Sequence, residues 1–143
     1  MSERMNLLAA EIHANAVAHG WWGEPRSFGE IVALCHSELS EALEEYRNGR
    51  PLFYYPCNDG SVCCEEEGDP FTKCGSRVFN PEEPETYCKA KSSKPEGIAV
   101  EMIDCIIRIL DWCGKEGVDV DAILAAKHEY NITRPFRHGN KVL

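Results

Sequence analysis

The chain has 143 residues, enough for one domain with a real core and little room for two. Hydrophobic residues supply 43% of it, a globular composition rather than a disordered one. A formal net charge of −9 argues against a groove for a nucleic-acid polymer, and an acidic protein that handles a phosphorylated small molecule needs a cation between the two.

The first residues, Met-Ser-Glu-Arg-Met-Asn, lack the apolar stretch of a secretory signal, and no run is long enough to span a bilayer. The expectation is a soluble cytoplasmic protein with no membrane partner. Its eight cysteines should then be thiols or metal ligands rather than disulfides. Residues 3 to 19 read as a first helix with a loose apolar face of Leu7, Leu8, Ile12 and Val17, stopped at Gly20. Trp21 and Trp22 follow, and Pro25 breaks the path. Ser27-Phe28-Gly29-Glu30 has the form of a capping box, in which each side chain satisfies an orphan amide. It opens a second helix to about Asn48, with Gly49 past its end. Phe28, Ile31, Cys35, Leu39, Ala42 and Tyr46 form the apolar stripe of that helix, and Glu38, Glu41 and Glu45 the acidic one beside it.

Residues 50 to 94 change character. Five prolines, three glycines and Glu65-Glu66-Glu67 exclude an amphipathic helix, and so long a segment between helices reads as an insertion. Short strands are expected around Leu52–Tyr55 and Arg77–Phe79. Cys57, Cys63, Cys64, Cys74 and Cys88 fall here, and four of them could ligate a structural Zn²⁺ that folds a segment unable to bury its own core. No C-x-x-C pair is present, so the alternative is a loop of reduced thiols.

A third helix starts near Pro95 and ends at Gly114 or Gly117. Ala99, Met102, Ile103, Ile106, Leu110 and Cys113 recur on it at helical spacing, with Glu101 and Asp104 set beside that stripe. Positions three apart lie roughly 60° apart around a helix, so these two carboxylates share a face. Asp119 is the expected N-cap of a fourth helix to about Thr133, on which Lys127, Asn131 and Arg134 make one polar face. The tail from Phe136 to Lys141 is basic, against the trend of the chain. The expected fold class is therefore all-α, in one domain over residues 1 to 143 with residues 50 to 94 as an inserted Cys-rich loop.

Glu38-x-x-Glu41 with Glu101-x-x-Asp104 is the main chemical signal. Facing helices bearing paired carboxylates gather oxygen ligands around one point, which suits a hard divalent cation such as Mg²⁺. A di-iron bundle would want Glu-x-x-His on its helices, and no histidine here has an acid three positions before it. Trp21 and Trp22, with His13 on the preceding helix, are candidates to stack on a base, against the blander role of core or interface. Cys35, Cys105 and Cys113 sit on apolar stripes and read as small buried hydrophobes.

His36-Ser37-Glu38-Leu39-Ser40-Glu41-Ala42-Leu43-Glu44 and Val100-Glu101-Met102-Ile103-Asp104 resemble the two carboxylate helices of the MazG-like nucleotide pyrophosphohydrolases. Lys127-x-x-Tyr130-Asn131-x-x-Arg134 is also similar to that family, and the resemblance covers residues 1 to 49 and 95 to 143. It implies an all-α four-helix fold assembling as a homo-oligomer, either a dimer or a dimer of dimers. It also implies Mg²⁺-dependent hydrolysis of a nucleoside triphosphate to the monophosphate and pyrophosphate. Glu38, Glu41, Glu101 and Asp104 would be the metal ligands, and Lys127, Asn131 and Arg134 would hold phosphates. By residue logic Glu41, with Glu38 beside it, accepts the proton of the attacking water. The segment between the two motifs is far longer than the family's usual connection. The competing reading is a non-catalytic helical interaction module whose zinc-stapled insert contacts a partner.

Overall fold

Ser27 Oγ accepts from the Glu30 amide at 3.2 Å while Glu30 Oε2 accepts from the Ser27 amide at 2.6 Å, closing the expected capping box. Those bonds hold the Glu30 carboxyl below its ordinary range. The computed structural model in which they are seen describes residues 4–56, 77–79, 86–88 and 94–135. Its four helices are α1 (Arg4–Ala18), α2 (Phe28–Arg47), α3 (Ile98–Glu116) and α4 (Val120–Ile132). Between α2 and α3 lie two three-residue strands, β1 (Arg77–Phe79) and β2 (Thr86–Cys88), paired antiparallel with Val78 opposite Tyr87. The described fold is thus all-α with one minor sheet, and β1 coincides with the expected strand at Arg77–Phe79. Around Leu52–Tyr55 the expected strand shrinks to one antiparallel bridge, Tyr54 with Glu96. The expected helix stops at Gly20, Gly49 and Gly117 all take positive φ.

The chain forms two compact units, and the division falls within α2 and α3. One unit comprises residues 1–31 and 107–143. Its buried residues are Ala9, Ile31, Leu110 and Cys113, and Phe28 meets Trp112 at 5.2 Å between ring centres. Gly114 has to be a glycine, because a Cβ there would run into the Ala9 carbonyl and lie 2.8 Å from His13 Cβ. At the far end of α1, Asp121 accepts from the Met5 and Asn6 amides at 3.4 and 2.9 Å. Asn6 replies in kind, its Oδ1 accepting from the Asp121 amide at 3.2 Å and its Nδ2 donating to Asp119 at 2.9 Å. Asp119 also accepts from the Ala122 amide at 3.0 Å, as the expected N-cap of α4.

The other unit, residues 32–106, is built around Glu38, Ala42, Tyr54, Glu101 and Cys105, all buried. Here the apolar stripes differ from expectation. On α2 the inward face runs through Cys35, Glu38, Ala42 and Glu45, while Val32, Leu39, Leu43 and Tyr46 are exposed. On α3 Glu101 and Cys105 are buried, and Met102, Ile103 and Ile106 are exposed. The acidic faces, not the apolar ones, turn inward within the unit. The same correction holds for α1 in the first unit, where Ala9 is buried but Leu7, Leu8 and Val17 are exposed.

Candidate metal centre

Segment 51–54 sets where α3 begins. Tyr54 and Glu96 exchange both backbone hydrogen bonds at 2.9 Å. Pro51 and Leu52 carbonyls accept from the Ile98 and Ala99 amides at 3.3 and 2.8 Å, capping donors that have no partner inside the helix. This approach is so close that a Cβ on Gly97 would stand 2.7 Å from the Leu52 oxygen and 2.8 Å from that of Pro51. Gly97 also takes φ 122°, which side chains rarely adopt. Tyr54 completes the bracing from the other side, its hydroxyl donating to Glu45 of α2 at 3.0 Å. Burial first, then that bond to a carboxylate, holds the Tyr54 phenol above its usual range.

Within this frame Glu38 of α2 meets Glu101 and Asp104 of α3. One oxygen from each lies within 4.8 Å of the others, and Glu38 and Glu101 are only 5% and 6% exposed. Burial, and then the neighbouring charges of Glu41, Asp104, Glu96 and Glu38, push the Glu101 carboxyl up to about 7. An all-oxygen donor set that is repelled by its own charge suits a hard divalent cation. Glu41 is exposed at the edge of this cluster, accepting from Ser37 Oγ at 3.2 Å, and is not one of the three gathered oxygens. Sequence reasoning missed two neighbours. Lys94 pairs with Glu96 at 2.8 Å, and that bond, reinforced by the fields of Glu101 and Asp104, holds its ammonium above its usual range. Their signal was a charged Lys-Pro-Glu run directly before the helix.

Comparison with protein-family models, with curated proteins and with solved structures finds no match for this chain.

The remaining candidate residues belong to the unit of residues 1–31 and 107–143. Lys127 and Asn131 are exposed on α4, whereas Arg134 lies beyond the Thr133 C-cap rather than on the helix. Lys127 Nζ stands 5.1 Å from the centre of the Tyr130 ring. Trp21 is half exposed, with the Arg26 and Arg108 guanidiniums 5.6 and 5.7 Å from its ring centre. His13 and Trp22 converge on Asp111 of α3, which the sequence reading passed over. Asp111 could have been found, since it follows Asp104 by seven positions on one helix face. Of the expected zinc ligands, Cys57, Cys63, Cys64 and Cys74 lie outside the described residues, and of Cys88 only the backbone, in β2, is described. Cys35, Cys105 and Cys113 form no disulfide among the described residues, and the last two are buried while Cys35 is only partly so. No helix among the described residues is long and apolar enough to cross a membrane.

Proposed function

We propose that the protein is a cytoplasmic, metal-dependent nucleoside triphosphate pyrophosphohydrolase that releases the monophosphate and pyrophosphate. The observation that carries this reading is the inward-facing trio of Glu38, Glu101 and Asp104. A helix that buries carboxylates while exposing isoleucines has an acidic site to maintain, because buried charge is costly unless it is paired or metal-bound. The resemblance of the two carboxylate motifs to the MazG-like enzymes names the reaction.

Glu38, Glu101 and Asp104 would hold a Mg²⁺, with Glu41 completing the set from its exposed edge. Bound there, the ion would neutralise triphosphate charge and lower the pKa of a coordinated water. Glu41 faces solvent beside the cluster and is the proton acceptor for the attacking water. Lys127, Asn131 and Arg134 keep the phosphate-binding role that the resemblance assigns, as cationic and amide donors to the departing pyrophosphate. His13, Trp21 and Trp22 keep the base. The exposed apolar faces of α2 and α3 favour a homo-oligomer.

The test is a panel of nucleoside triphosphates incubated with Mg²⁺, with pyrophosphate scored separately from phosphate. Stoichiometric pyrophosphate and monophosphate are expected, abolished by chelation. Release of single phosphates, or no turnover with any nucleotide, would overturn the reading.

A further inference from the structure

Tyr54 joins the two elements of the unit of residues 32–106 that carry the carboxylate trio. Its main chain exchanges both hydrogen bonds with Glu96, just before α3 begins, so the residue is tied to the root of that helix. Its hydroxyl crosses to α2 and donates to Glu45 Oε2 at 3.0 Å. The ring between these two ends is held in place: Tyr54 is 4% exposed, and the Arg50 guanidinium stands 5.8 Å from the ring centre. A hydrogen bond to a carboxylate is of the stronger, charge-assisted kind, and burial shields this one from competing water. The phenol keeps its proton for that bond, since it is held above its usual range.

Helix α2 brings Glu38 to the cluster, and α3 brings Glu101 and Asp104. Glu45 lies on the same inward face of α2, about two turns beyond Glu38. Like charge drives the two carboxylate faces apart, and a tie between the helices acts against that spread. The tie matters unequally to different ions. Mg²⁺ demands near-ideal geometry at about 2.0–2.1 Å from its oxygens, whereas Ca²⁺ accepts about 2.3–2.6 Å and irregular shells. A frame that keeps carboxylates of two helices close together favours the smaller ion. A looser frame costs the larger one little.

We propose that Tyr54 is the positioning residue that sets ion selectivity at this centre: its bond to Glu45 holds α2 and α3 at the spacing Mg²⁺ needs and so discriminates against Ca²⁺. The inference rests on the reading of Glu38, Glu101 and Asp104 as metal ligands. It does not follow from the family resemblance, because Tyr54 falls in the segment 50 to 94, outside the stretches that resemble the MazG-like enzymes.

The experiment titrates the full, metal-free chain with Mg²⁺ and, separately, with Ca²⁺ by calorimetry, without nucleotide. Heat that persists in Glu101→Gln does not come from the cluster and is subtracted. Tyr54→Phe keeps the ring and the main chain and removes the hydroxyl. Expected is a Mg²⁺ dissociation constant about tenfold higher, the order of one lost hydrogen bond to a charged group, with that of Ca²⁺ changed by less than about twofold. Glu45→Met, which cannot accept, should shift the ratio of the two constants by the same factor. Glu45→Gln still accepts through its amide oxygen but lacks one negative charge. It should weaken both ions alike and leave the ratio near the parent's. The two Glu45 variants carry the test even if Tyr54→Phe fails to fold.

A purely structural role would lower Tm and weaken both ions in proportion, and that outcome overturns the proposal. So does a ratio in Glu45→Gln that shifts as far as in Glu45→Met. A parent that binds neither ion at the cluster ends the metal-centre reading and this inference with it. If Mg²⁺ binds there and the ratio stays fixed in every variant, this inference alone falls. If the ratio shifts while no triphosphate is hydrolysed, the enzymatic reading alone falls.

Discussion

At Glu101 burial and like charge act in the same direction, holding the proton on the folded chain up to about pH 7 from an ordinary 4.5. Between those two values the folded state binds more protons than the unfolded one, so stability falls as pH rises. The full loss is on the order of 3 kcal/mol and should be complete above pH 7 in metal-free protein. Glu101→Gln removes that slope. Its melting temperature without divalent cation should exceed the parent's at pH 8, match it near pH 4, and no longer rise on adding Mg²⁺. Asp104→Asn carries the companion test. Relieved of one charge in the cluster, it should melt no lower than the parent without Mg²⁺, yet release pyrophosphate slower by orders of magnitude. Loss of stability with turnover retained would instead make Asp104 a structural partner. Both residues were legible in the sequence as acids on an apolar helix. Asp111 went unread because its role lies in two partners, His13 and Trp22, about a hundred positions away along the chain.

At the scale of the element, caps were legible and faces were not. Ser27-x-x-Glu30, Asp119 and the glycine stops depend on neighbours within a few residues, and each lies where the sequence put it. Ser27→Ala should therefore cost about 1 kcal/mol of stability, measured by denaturant titration. Which stripe of α2 or α3 turns inward depends on what faces it, and helical periodicity carries no such information. Gly97 depends on the crossing of residues 51–54, which no local pattern announces. Gly97→Ala meets two carbonyl oxygens at an unfavourable φ, and should lower stability on the order of 3 kcal/mol. Because Gly97 leads into α3, any triphosphate hydrolysis should fall with it.

For the whole molecule the unexpected quantity is apolar surface. Val32, Leu39, Leu43, Met102, Ile103 and Ile106 are each more than a third exposed, and all belong to the unit of residues 32–106. A monomer seldom leaves so many large side chains of one unit in water. Light scattering at micromolar concentration should give a mass of at least two chains, and Ile103→Glu should lower it toward 16.1 kDa. A monomeric parent would end that reading. The sequence reading located the acidic faces beside the core rather than in it, and so left these apolar stripes inside.

The reciprocal caps among Asn6, Asp119 and Asp121 join residues more than a hundred positions apart. Their contribution can arrive only after that long loop has closed, whereas a cap such as Ser27–Glu30 is available to a helix as it nucleates. In kinetic terms the two kinds of cap stand on opposite sides of the folding barrier. Asn6→Ala should leave the refolding rate nearly unchanged and put its loss into faster unfolding, while Ser27→Ala should slow refolding. The junction between α1 and α4 would then act as a latch, setting how long the folded chain survives rather than how quickly it forms.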